Sequence, residues 1–203
     1  MSVRNVLGSA TLFLSLAGAA NAQSLAIDVT KTARPDENHT LTMSGSYGPV
    51  SGFIDSFGRD WNGYYTEVYG RKNVSNIRGR KYGFQAELNK GSADFTPATG
   101  RAGIIGNIVS TDKLYASTKL LPLTITKNGI KKEVQLSGFG SVNLPKGFYA
   151  EGWIDHNFGV DPFTNGVITA GKMFGRLGIE GQYARNVNSD GNAFRFGGRY
   201  KIR

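Results

Sequence analysis

The stretch Asn165–Arg203, NGVITAGKMFGRLGIEGQYARNVNSDGNAFRFGGRYKIR, decides how the rest of the chain is read. In its last ten residues Phe194, Phe196, Gly198, Tyr200 and Ile202 alternate with Arg195, Gly197, Arg199, Lys201 and Arg203. A strict period of two predicts a β-strand with one apolar and one cationic face, because successive side chains leave a strand on opposite sides. The segment before it repeats the scheme, with Leu177, Ile179, Gly181 and Tyr183 against Arg176, Gly178, Glu180 and Gln182. A third strand sets Val167, Thr169, Gly171 and Met173 against Ala170 and Lys172. Phe174-Gly175 reads as a tight turn and Asn186–Asn192 as a polar loop, so the three strands form an antiparallel meander. Strands of about ten residues also fit a tilted crossing of a bilayer.

The N-terminal end selects the environment. Met1–Ala22 carries one charge, Arg4, then the apolar run Val6–Ala20, then Ala20-Asn21-Ala22. A short apolar run ahead of small residues in this spacing is the pattern of a secretory signal peptide, with cleavage expected after Ala22. A membrane anchor is the rival reading, but the run is interrupted by Gly8, Ser9 and Ser15. The expected organisation is therefore a signal peptide over Met1–Ala22 and one domain over Gln23–Arg203.

The composition narrows the class. Cysteine is absent, so an exported chain of this kind holds together by packing or by a closed hydrogen-bond network rather than by disulfides. The formal net charge is +9 for the whole chain. Such an excess favours anionic partners, namely lipid headgroups, polysaccharides or small anions. Nucleic acid is not expected, because the basic residues are interleaved singly along strands and no nucleic-acid motif is present. No segment beyond the leader approaches the roughly eighteen apolar residues of a helical span. Twenty-eight glycines, recurring with aromatics at each hairpin, point to an all-β chain.

The remaining sequence extends the pattern. Leu25, Ile27 and Val29 share one face, as do Leu41, Met43, Gly45 and Tyr47 in the next strand, which Gly48-Pro49 closes. Ser51–Phe57 is a weakly patterned strand, and Trp61–Gly70 is aromatic in both phases. Arg71–Arg80 reads as a basic, polar connection. Tyr82, Phe84, Ala86 and Leu88 then oppose Lys81, Gly83, Gln85 and Glu87, and Ala102, Ile104, Gly106 and Ile108 follow beyond a longer loop. Leu114, Ala116, Thr118 and Leu120 continue the wall, but Leu121, Leu123 and Ile125 change phase around Pro122, where a bulge is expected. Asn128-Gly129 is the strongest hairpin signal. Val134, Leu136, Gly138, Gly140 and Val142, then Phe148, Ala150, Gly152 and Ile154, give two more apolar faces. The fold class is thus all-β, a single antiparallel up-and-down β-barrel of about ten to twelve strands. Short turns alternate with longer loops as in outer-membrane barrels, with Arg71–Arg80 the one long connection where a short turn belongs.

Gly171–Arg185 (GKMFGRLGIEGQYAR) followed by Phe194–Arg203 (FRFGGRYKIR) resembles the closing hairpins of small Gram-negative outer-membrane β-barrel proteins, which are porin-like. The resemblance covers the final quarter of the chain closely and the rest through periodicity. It implies an outer-membrane location, contact with membrane lipid, and delivery by the barrel assembly machinery. That machinery usually reads a terminal aromatic residue, where this sequence has Ile202-Arg203.

Three other readings fit alternating strands. A soluble periplasmic barrel or sandwich that binds a ligand would bury the Phe/Tyr/Leu face and expose the charged one. A catalytic barrel could use His39, or His156 beside Asp155, but no nucleophile motif accompanies either histidine, so no enzyme is expected. A recognition module would work through loops that carry no signature. No metal constellation or cofactor motif is present.

On the barrel reading, the chemistry lies on the inward face. The phase of each strand assigns Lys81, Arg101, Lys119, Lys172, Arg176, Arg195, Arg199 and Lys201 to the lumen, with Glu87, Glu133, Glu151, Asp155 and Glu180. Two outcomes are open. The charges pair across strands and plug the lumen, since an unpaired buried charge is very costly. Alternatively, surplus Lys and Arg line a narrow water-filled channel and favour small anionic solutes.

Overall fold

The computed structural model describes residues 24–32, 39–57, 63–92, 98–159, 162–186 and 192–202. Met1–Ala22 and Trp61 lie outside the described residues.

Among the described residues thirteen strands form one sheet: β1 (Ser24–Thr32), β2 (His39–Tyr47), β3 (Val50–Phe57), β4 (Gly63–Ile77), β5 (Arg80–Gly91), β6 (Thr99–Ser110), β7 (Leu114–Thr126), β8 (Gly129–Lys131), β9 (Val134–Asn143), β10 (Phe148–Phe158), β11 (Phe163–Phe174), β12 (Leu177–Asn186) and β13 (Asn192–Lys201). Neighbours in sequence pair antiparallel from β1 to β7. The pairing then passes from β7 to β9 and on to β13, which pairs with β1. Twelve strands thus make an unbroken circuit, an up-and-down barrel in which each wall strand has two partners. The three-residue β8 stands off the circuit, pairing with the end of β7 in a hairpin that turns at Lys127-Asn128, one residue before the expected Asn128-Gly129, with Gly129 paired to Thr126.

The distribution of side chains is inverted relative to a water-soluble protein. Gln85, Glu87, Asn107, Gln135, Asn157, Glu180 and Arg199 are buried, while Phe84, Leu88, Ile104, Ile168, Ile179 and Phe196 are each more than half exposed on the outside. A continuous apolar wall of this kind far exceeds the few hundred Å² that a soluble monomer exposes. The soluble reading, in which the Phe/Tyr/Leu face is the core, is therefore corrected: that face is the outer surface. In a bilayer the same wall needs no cover, and the closed pairing leaves no strand edge in hydrocarbon.

The connections sort by end. Gly48-Pro49, Arg78-Gly79, Thr111–Lys113, Leu144–Gly147 and Gly175-Arg176 all turn the chain at the end where β1 starts and β13 finishes. The expected exception disappears: β4 runs through Arg71 to Ile77 and turns at Arg78-Gly79, with φ of 52° and 77°. Both residues have positive φ, the geometry of a two-residue turn that matches strand twist and suits glycine at its second position. The alternation had lapsed because β4 carries an extra residue, with a register shift between Asn73 and Ser75 opposite β5.

The bulge expected near Pro122 is present. Ala102 faces Leu123 and Ile104 faces Leu120, so β7 spends one residue more than β6 across this step. Leu121 stays buried on the inside, and Leu123 and Ile125 return to the outside. A Cβ on Gly103 would run into the Leu120 carbonyl oxygen, so the strands close over the bulge only with glycine there.

Candidate functional site: the polar lumen

Inward positions are fixed by direct cross-strand partners, which share a face. One cluster grows from β4, β5, β6 and β7. The Lys119 Nζ donates to Glu87 Oε2 at 2.6 Å and lies 3.9 Å from Glu67 Oε1. Arg101 stands 3.7 Å from the other oxygen of Glu87, and Gln85 donates to Glu87 at 3.2 Å. The Tyr65 hydroxyl donates to Glu67 at 3.1 Å. Glu87 is 2% exposed, a burial that a carboxylate tolerates only with close cationic partners.

A second cluster belongs to β10, β12 and β13. Arg199 meets Glu151 at 2.5 Å and Glu180 at 2.9 Å, a bridge between a strand and one three places away. The Tyr149 hydroxyl donates to Glu180 at 2.6 Å and Gln182 donates to it at 2.8 Å. Arg199 and Lys201 also lie over the Tyr149 ring, at 4.9 and 5.8 Å from its centroid. A third, smaller group joins Arg71 to Asn107 at 2.8 Å and to the Tyr115 hydroxyl at 3.3 Å. Because partners sit up to three strands apart on a curved wall, these contacts cut chords across part of the lumen.

Twelve of the thirteen residues assigned to the lumen from sequence fall into four positions. Arg101, Lys119, Glu87, Glu151, Glu180 and Arg199 are in the two clusters. Arg195 and Asp155 are half-buried in the inward rows of β13 and β10, opposite Gln182 and Asn165. Lys81, Arg176 and Lys201 are exposed at the short-turn mouth, and Glu133 pairs with Lys131 at 3.2 Å beside the β8 hairpin.

Lys172 is a correction. It pairs opposite Phe148 on the outer face, with its Nζ 4.8 Å from the Phe148 ring centroid and 5.0 Å from that of Phe174. The sequence of β11 points to the opposite phase because both of its faces carry apolar residues. Thr169 is buried and Ile168 is 63% exposed, which puts Val167, Thr169 and Gly171 inside. His156 also points outward, bonded to Thr164 at 2.7 Å and edge-on to Phe158, so it cannot act with the inward Asp155. The side chain of His39 lies outside what is described.

Sequence reasoning missed Glu67, Tyr65, Tyr149, Arg71 and Asp55. Glu67 shares its phase with Tyr65 and Tyr69, a signal obscured by the outward Tyr64 and Val68. Asp55 accepts from the Thr42 hydroxyl at 2.6 Å across the weakly patterned β3. With these included, the mid-lumen residues whose side chains are described hold Arg71, Arg101, Lys119, Arg195 and Arg199 against Asp55, Glu67, Glu87, Glu151, Asp155 and Glu180. The cationic excess lies at the short-turn mouth, not in the middle.

No protein-family model and no curated protein sequence matches the chain. Among solved structures, KdgM porin is similar with a TM-score of 0.62 at 14% identity, over 89% of this chain and 99% of that one. KdgM porin in complex with disordered oligogalacturonate is similar with a TM-score of 0.61, at the same identity and coverage. An antiparallel circuit of twelve strands, apolar outside and polar inside, with short turns at one end, is thus the fold of the porin-type outer-membrane β-barrel.

Proposed function

We propose that this chain is exported with removal of Met1–Ala22, enters the outer membrane through the barrel assembly machinery, and acts there as a narrow channel favouring small anionic solutes. The observation that carries this reading is the inversion of the wall. Buried Gln, Asn, Glu and Arg surround the axis while Phe, Leu and Ile face outward. Twelve strands lie between the filled eight-stranded barrels and the open sixteen-stranded porins, so paired side chains narrow the lumen without needing to fill it.

Anion preference comes from the mouth. The described mid-lumen side chains carry no cationic excess, whereas Lys81, Arg176 and Lys201 stand exposed at the short-turn end and raise the local concentration of anions. The binding of oligogalacturonate to the similar KdgM porin is consistent with an anionic solute. In planar bilayers at low salt, the protein is expected to conduct with an anion-selective reversal potential. Replacing Lys81, Arg176 and Lys201 together by Gln should move that potential toward cation preference, and Arg195→Gln should add a smaller shift in the same direction. A parent that inserts but passes no current would leave a structural or recognition barrel in place of a channel.

A further inference from the structure

The cations at the short-turn end divide by face, and the division assigns the outward ones a different partner. Lys72 pairs opposite Phe84 on the outer wall, Arg80 pairs opposite Ile77, and Lys172 sits between Phe148 and Phe174. Phe84, Ile77, Phe148 and Phe174 are all exposed, so each cation emerges at the margin of the apolar wall. Arg78, Lys113 and Lys146 add three exposed charges from three separate turns. Among the described residues none of these six cations has an ion-pair partner, and the one carboxylate at this end is Asp112.

We propose that this collar binds anionic phospholipid headgroups of the leaflet that meets the short turns. The inference rests on the membrane-barrel reading and goes beyond it. Long cationic side chains at the edge of an apolar surface lay their stems along it and present the charge at headgroup level. Aromatic rings favour that same interfacial depth, so Phe148 and Phe174 hold Lys172 where phosphate is found. Each such cation near the surface attracts anionic lipid, and the attraction is weakened by salt. The ring geometry selects this occupant over an acidic protein, because Lys72, Arg80 and Lys172 point into the bilayer margin rather than out along the barrel axis.

The test uses the full-length exported protein refolded in phosphatidylcholine vesicles containing increasing fractions of phosphatidylglycerol. Its melting temperature, read from heat-modifiable gel mobility, should rise with phosphatidylglycerol at low salt, and the rise should vanish near 1 M salt, where the screening length is roughly 3 Å. The combined change Lys72→Gln, Arg80→Gln and Lys172→Gln should raise the phosphatidylglycerol fraction needed for half the effect by about tenfold. Lys72→Arg, Arg80→Lys and Lys172→Arg together should preserve it, which separates lost charge from damaged folding. Equal stability in both lipids, or a Gln variant that responds like the parent, overturns the proposal while leaving the barrel reading intact. Loss of binding to an acidic peptide with unchanged lipid response also overturns it, in favour of a protein partner. Failure to insert in either lipid overturns the membrane reading and this proposal with it.

Discussion

The two charge clusters in the lumen solve the same problem in different ways. On the β4–β7 side two carboxylates, Glu67 and Glu87, face two cations, Lys119 and Arg101, and Glu87 is reached by both. On the β10–β13 side two carboxylates, Glu151 and Glu180, converge on the single guanidinium of Arg199, with neutral help from Tyr149 and Gln182. The first arrangement is redundant and the second has one keystone. A planar guanidinium with several fixed donors can serve two carboxylates at once, which an ammonium does less well. The difference teaches that the number of cations serving each buried carboxylate sets how much rests on a single residue.

Removing the keystone is the sharpest way to break the comparison. Arg199→Met should leave Glu151 and Glu180 without their cation and cost about 3–5 kcal/mol. Urea unfolding of the protein in lipid vesicles, followed by tryptophan fluorescence, checks this. Placing the same kind of charge on the other side of β13 tests the face assignment on which both clusters depend. Phe196→Arg on the outer wall should cost about 2–4 kcal/mol and reduce heat-resistant assembled barrel on gels. If that variant assembles like the parent, the inward and outward rows of β13 have been exchanged.

Lys119→Met probes the redundant side, and because Arg101 remains beside Glu87 the loss should be smaller, about 1–3 kcal/mol. A double variant with Arg101→Met should then lose much more than the sum of the singles, and additivity would show that the two cations do not share their acids. The smallest effect is expected at Tyr149→Phe. It deletes one hydrogen bond to Glu180 while Arg199 and Gln182 remain, so about 1 kcal/mol should be lost in the same unfolding measurement. A loss as large as that of Arg199→Met would mean that the tyrosine, not the arginine, holds the cluster.

How much of this was legible in the sequence depended on how clean the alternation was. β5, β12 and β13 each set aromatic and aliphatic side chains against charged ones, and their inward rows were readable to the residue, including Glu87, Glu180 and Arg199. In β11 the contrast is weak, since Val167 and Met173 lie inside and Lys172 outside, so the alternation points to the wrong phase. In β4 the extra residue at Val74 breaks the period, which hides Arg71 and makes a tight turn look like a loop. The bulge in β7 left a better trace, because proline and a phase change fell together. The pairing of charges three strands apart had no local signal, as it arises from wall curvature and from which rows meet across the axis.

The seam between the first and last strands has a consequence for timing. Ala26 faces Lys201 and Thr32 faces Arg195, so the circuit is completed by residues separated by nearly the whole chain. Contacts of such separation carry the highest ordering cost and form late. Until β13 is available, β1 and its neighbours present an open edge that invites pairing with other chains. The order of synthesis therefore leaves this edge unpaired until the last strand has been made, and that interval is when pairing with another chain is the greatest hazard.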